Sequence, residues 1–185
     1  TLLTTLERLF TLTLTTILIS RSTKMNILIG CAGIGGESEL WDDEAHKITH
    51  VELDPNIAQV IKDRKPNRQV IVGDAFEYLL SNANKFDFIW FSPPCQGNSR
   101  MIRSGKNRRP RFPDLRLYEV KIFLDYNFKG KYVIENVVPY YEAPIKPTAK
   151  IGRHLFWANF EIDETFEANQ PKDFIMLGTV KGSEQ

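Results

Sequence analysis

Two short stretches hold the residues best able to do chemistry, "SPPCQG" (92–97) and "VIENV" (133–137). Pro93 and Pro94 fix two φ angles in front of Cys95, so the cysteine leaves the preceding apolar run in a restricted direction. Gly97 behind it permits a turn. A cysteine that only fills a core needs neither device, whereas one that presents its sulfur to a substrate needs both. The thiolate is the nucleophile, so Cys95 calls for positive potential nearby. Residues 100–111 carry six basic side chains and no acid. That run reads either as a solvated segment or as a phosphate-contacting flap, the role proposed for Arg108 and Arg109. Glu135 follows the apolar "YVI", which places a carboxyl at the inner end of a buried strand. Burial without a partner would raise its pKa and keep its proton, ready to donate to a ring nitrogen. A structural ion pair is the other reading.

A second group of residues suits a nucleoside. "CAGIGGES" (31–38) offers Gly33, Gly35 and Gly36 for a sharp turn and close backbone approach to a ligand. Glu52 lies sixteen residues beyond Gly36, where an acid can take two ribose hydroxyls. In "VGDAF", Asp74 is placed either to accept from an adenine amino group or to cap the next helix. Together these describe a nucleoside cofactor across strand ends and leave open whether it is a dinucleotide or S-adenosylmethionine.

The elements that must position these groups follow from apolar periodicity. Buried strands are expected at 25–31, 48–53, 69–73, 86–92 and 131–137, separated by helical spacing at 35–42, 55–64, 75–83 and 114–127. Continuous apolar strands alternating with helices predict a parallel sheet covered on both faces, with ligands at the carboxyl ends of the strands. Residues 138–152, with three prolines, read as a surface loop. At 185 residues, 42% hydrophobic and 25% charged, the chain suits one globular domain. A net charge of +1 makes any polyanion signal local. Two cysteines are too few for a disulfide scaffold, and no metal site is expected. The first 24 residues contain eight threonines and seven leucines. They make neither a signal peptide nor a membrane span, and read as an extension ahead of the working domain or as an edge strand over 11–15.

These motifs, taken in order, resemble the DNA cytosine-5 methyltransferases. The match runs through "AGIGG" (32–36), Glu52, "GD" (73–74), "PPCQ" (93–96), "LY" (117–118) and "ENV" (135–137), over about residues 25–160. The resemblance implies a Rossmann-like α/β fold dependent on S-adenosylmethionine. It places the cofactor on Ala32, Gly33, Ile34, Gly35, Gly36, Glu52, Asp74, Pro94 and Leu117. Cys95 would attack C6 of a cytosine flipped out of double-stranded DNA while Glu135 binds and protonates N3, with Arg153 in "GRHLFWANF" as the candidate arginine at the base. Gln96, Ser99 and Asn136 would join Arg108 and Arg109 at the substrate. The flipped base follows from access, since the target atom is hidden inside a stacked duplex.

Departures from the family pattern are Cys31 where a Phe is usual, Asn98 for the Phe of Pro-Cys-Gln-x-Phe-Ser, and no Gln-x-Arg-x-Arg. Only 25 residues follow Phe160, without room for a target-recognition domain or a recognisable closing motif. The expectation is therefore a short, phage-like member, with a C-terminally truncated catalytic domain over 25–185. It would be a cytoplasmic monomer that meets no membrane and serves DNA methylation or restriction–modification. An amino methyltransferase, an RNA-directed enzyme and a remnant that binds without turnover stay open beside it.

Overall fold

The computed structural model describes residues 24–39, 41–100 and 112–163. The expected extension, Arg108 and Arg109 lie outside the described residues. Seven strands form one sheet: β1 (Asn26–Gly30), β2 (Lys47–Glu52), β3 (Gln69–Val72), β4 (Phe88–Phe91), β5 (Lys131–Val137), β6 (Ala149–Ile151) and β7 (His154–Ala158). Their order is β3-β2-β1-β4-β5-β7-β6. β1 to β5 run parallel, and β7 pairs antiparallel with both β5 and β6. Among the described residues the α-helices are α1 (Pro55–Arg64), α2 (Ala75–Asn82) and α3 (Arg116–Asn127).

The central strands are covered on both faces, which is why their sequences are continuously apolar; all four residues of β4 are buried. On one face Ile27, Ile29, Ile48, Trp90, Val133 and Phe156 pack with Ile61 of α1 and with Trp41. On the other, Leu28, Val51, Ile89, Phe91, Ile134 and Trp157 meet Leu79 of α2 and Leu117, Val120 and Leu124 of α3. The sheet runs outward in both directions from the β1–β4 pair, which is the crossover where strand ends open a crevice.

Aspartates start two of the helices at strand exits. Asp54 Oδ1 accepts from the Asn56 and Ile57 amides, and Asp74 Oδ1 accepts from Phe76 and Glu77. The N-cap reading of Asp74 therefore holds.

Two expectations are corrected. The helix expected at 35–42 is only a 3-10 turn over Gly36–Ser38. The segment's polar groups are committed elsewhere: Ser38 Oγ donates to Gly35 O at 2.8 Å, and Arg68 takes the Trp41 carbonyl at 3.2 Å. Trp41 meanwhile turns inward onto Phe88, ring centroids 5.4 Å apart. The second correction concerns 138–152, expected as loop throughout. Its last residues form β6, which returns as β7 through the two-residue turn Gly152–Arg153. β7 is anchored by Trp157, fully buried, whose indole N–H donates to Ile145 O at 2.8 Å.

Candidate functional site

The carboxyl ends of the first four strands and the start of α3 enclose a cavity of about 290 Å³. Cys31 and Gly33 come from the exit of β1, Glu52 and Leu53 from β2, Asp74, Ala75 and Phe76 from β3. Ser92, Pro94 and Gln96 follow β4, and Arg116 opens α3. Five residues expected from sequence thus share one wall: Gly33, Glu52, Asp74, Pro94 and Gln96.

Each is placed by local chemistry. Glu52 is 9% exposed, and its carboxylate accepts from the Gly33 amide at 2.8 Å and the Asp54 amide at 3.0 Å. It therefore ties the β1 turn to the β2 exit and keeps lone pairs for a ligand. Gly33 adopts φ 51, and a Cβ there would have no atom within 4 Å, so the turn leaves space beside the cavity. Ala32 is buried and its carbonyl accepts from the Gly35 amide at 2.8 Å. Ile34 is half-exposed and its carbonyl takes Arg64 at 3.2 Å. Gly35 adopts φ 78 and Gly36 opens the 3-10 turn. These four shape the turn, while Leu117 is buried in the core beside the cavity and its neighbour Arg116 provides the lining.

Cys31, which also lines the cavity, holds φ 56, a left-handed conformation that costs a residue with a side chain about 1–2 kcal/mol. Burial, then the Glu52 and Asp74 charges, push its thiol up to about 12. Cys31 is thus a thiol, not a thiolate, at neutral pH.

Cys95 is half-buried between the two lining residues Pro94 and Gln96. Its carbonyl accepts from the Asn98 amide at 3.0 Å and the Ser99 amide at 2.9 Å, closing the turn. Glu135, on the neighbouring β5, has a side chain 17% exposed. Burial raises its pKa; His154 and a hydrogen bond from Ser92 oppose the rise. Ser92 accepts from the Trp90 indole at 2.8 Å and directs its own proton to Glu135. Because Ser92 also lines the cavity, Glu135 stands one side chain behind the cavity wall. The carboxyl of Glu135 therefore has a raised pKa and is not without partners.

Asn136 is 2% exposed, donates to Pro93 O at 3.0 Å and accepts from the Val137 amide. Its side chain braces β5 against the Pro93–Pro94 step. Ser99 pairs with Pro139 as an isolated bridge. Arg153 sits exposed at the β6–β7 turn, and its carbonyl accepts from the Val138 amide at 2.9 Å. The next residue is the one that meets the acid: His154 Nε2 lies 3.5 Å from Glu135 Oε1.

Sequence reasoning missed Ser92, His154, Glu37, Phe76 and Arg116. Ser92 and His154 each adjoin a residue already singled out. Glu37 carries a buried, unpartnered Oε1, and burial with the Glu135 charge pushes its pKa up to about 8. Phe76 packs edge-on against Phe91 and carries Arg116 4.5 Å above its ring. Arg116 is in turn held by Asp114, at 2.7 Å for the shorter contact. The Arg116–Phe76 contact depends on α3 reaching α2, which no local spacing encodes.

No family model and no curated protein matches this chain. Solved structures do resemble it. HI0767 from Haemophilus influenzae, whose name marks it as a candidate methylase, is 17% identical over 83% of this chain and 96% of its own, with a TM-score of 0.56. YhhF from Escherichia coli, named as a candidate methyltransferase, is 16% identical over 82% of each chain, TM-score 0.51. A SAM-dependent methyltransferase from Agrobacterium tumefaciens is 13% identical over 69% of this chain and 43% of its own, TM-score 0.51. The chain has the Rossmann-like α/β fold of these proteins.

Proposed function

We propose that this chain is an S-adenosylmethionine-dependent methyltransferase that methylates C5 of a flipped cytosine in DNA through a covalent Cys95 adduct. The observation that carries the reading is the convergence, at one crevice, of a nucleoside-type wall (Gly33, Glu52, Asp74) with a cysteine turn whose neighbours line that wall. Glu135 reaches the same wall through Ser92. The residues fit the cofactor. Glu52 and Asp74 offer acceptors for hydroxyl and amino hydrogens, Gly33 leaves room, and both carboxylates complement a cation. S-adenosylmethionine supplies an electrophilic methyl group on a sulfonium.

The protein's own part is to make a poor nucleophile better. The Cys95 thiolate adds to C6, breaking the C5–C6 double bond, while Glu135 gives its proton to N3; C5 gains the electron pair and takes the methyl group. Loss of the C5 proton to a base then expels the Cys95 thiolate, and N3 returns its proton to the Glu135 carboxylate as the ring is restored. Glu135 is suited to hold that proton because burial raises its pKa, and Ser92 and His154 orient it.

The test uses DNA carrying 5-fluorocytosine together with S-adenosylmethionine. Fluorine cannot leave as a proton does, so the adduct is trapped and survives denaturing electrophoresis. Wild-type protein is expected to form it and Cys95→Ala to form none. An adduct that persists in Cys95→Ala removes the cysteine from the reaction. Methyl transfer to an exocyclic nitrogen, seen by nucleoside analysis, replaces the reading with an amino methyltransferase.

A further inference from the structure

The turn that presents Cys95 is held on both sides of the cysteine. Pro93 O is held by Asn136 Nδ2 at 3.0 Å. Gly97 lies against Asp114, so closely that a Cβ would come within 2.9 Å of the Asp114 Cβ. Asn98, 2% exposed, accepts the Tyr140 amide on its carbonyl at 3.1 Å and the Tyr141 hydroxyl on Oδ1 at 2.9 Å. Ser99 bridges to Pro139, and Arg100 Nε donates to Pro139 O at 3.3 Å. A buried asparagine is costly unless its polar atoms are used, and here both its oxygens join the cysteine turn to the segment after β5.

We propose that Asn98 is a positioning residue: with Tyr141 it staples the Cys95 turn to the exit of β5, the strand that carries Glu135, and so fixes the distance between the two. The Asn98 amide donates to Cys95 O at 3.0 Å, which makes the staple continuous with the cysteine's own backbone. The Tyr141 hydroxyl gives its proton to Asn98, and Tyr141 is not among the residues that line the cavity. The role assigned to the staple rests on the reading of Cys95 as nucleophile.

The experiment compares Tyr141→Phe, Asn98→Leu and the double variant, each against wild type. Cys95 alkylation by iodoacetamide is followed by mass spectrometry, with Cys31 as the internal control, alongside the rate of adduct formation on 5-fluorocytosine DNA. Loss of one neutral hydrogen bond predicts a change of about three- to ten-fold in each rate. Cys95 alkylation is expected to rise as the turn loosens, Cys31 alkylation to stay constant, and adduct formation to fall with cofactor affinity unchanged. The double variant should add nothing to the single ones, because both remove the same bond. Unchanged Cys95 alkylation in both single variants overturns the staple, as does a rise shared by Cys31, which reports general opening. If wild-type protein forms no adduct, the methyltransferase reading fails while the alkylation rates still decide the staple.

Discussion

His50 gives the structure its most quantitative test. It is fully buried on β2, and its Nε2 lies 2.8 Å from Ser38 Oγ. Ser38 donates its only proton to Gly35 O and accepts Arg68 NH1 at 2.7 Å. The imidazole must therefore be the donor to Ser38 through Nε2, with Nδ1 bare; that atom has no hydrogen-bond partner among the described residues. Protonating Nδ1 would bury a cation near the Arg68 guanidinium, and burial followed by that charge lowers the pKa from 6.5 to about 4. An unfolded chain takes up this proton as the pH falls below 6.5, the folded chain only near 4. Stability from His50 is thus complete above pH 6.5 and is lost as the pH falls toward 4, by about 3 kcal/mol in all, at 1.36 kcal/mol per pH unit. The perturbation is His50→Gln, whose amide N–H can replace Nε2–H but cannot titrate. Urea unfolding at pH 7.5, 5.5 and 4.5 should show the variant losing less stability than wild type on acidification. A difference between the two that stays constant across those pH values would refute the reasoning. The same network braces the Gly35 carbonyl, so acid should loosen the glycine turn before it unfolds the sheet.

Other consequences can be checked separately. Asp74→Asn keeps a competent N-cap and should leave the melting temperature within a few degrees, yet weaken binding of S-adenosylhomocysteine by calorimetry about ten-fold; Asp74→Ala should lose both, the cap alone being worth about 1 kcal/mol. Gly97→Ala drives a Cβ to 2.9 Å from Asp114 Cβ and 3.3 Å from its amide nitrogen, and should cost about 1–3 kcal/mol in chemical denaturation. Unaltered stability there would mean that Asp114 yields freely. Arg116→Ala removes the cation over Phe76 and should raise the dissociation constant for S-adenosylhomocysteine a few-fold, with the Cys95 alkylation rate unmoved.

Legibility followed the range of the interaction concerned. Helices 55–64 and 116–127 were readable because an aspartate cap or a repeated apolar spacing is a local signal, and β5 because of its apolar run "YVI". The short turn at 36–38 was not, since Arg68, thirty residues away from Ser38, outbids the local helical spacing for its polar atoms. β7 was missed because its partner β5 lies some twenty residues earlier, and antiparallel insertion there is fixed by burying Trp157 and Phe156, on opposite faces of the sheet. HI0767, YhhF and the Agrobacterium tumefaciens methyltransferase are 13–17% identical, too distant to supply the chemistry, so the cysteine–carboxyl pair rests on the residues themselves.

The sequence by itself determined the chemical inventory: a cysteine behind two prolines, a glutamate ending an apolar run, a glycine turn, and acids at two further strand exits. Each is a matter of residue type and nearest neighbours, which backbone sterics and burial convert into local geometry. Tertiary structure alone decided their company. Ser92 links Glu135 to the cavity, His154 faces it from β7, Arg116 crosses from α3 onto Phe76, and Asn98 meets Tyr141. The reason is physical: strand order and register bring together side chains far apart in the chain, and the free energy that selects that order comes from the burial of both sheet faces.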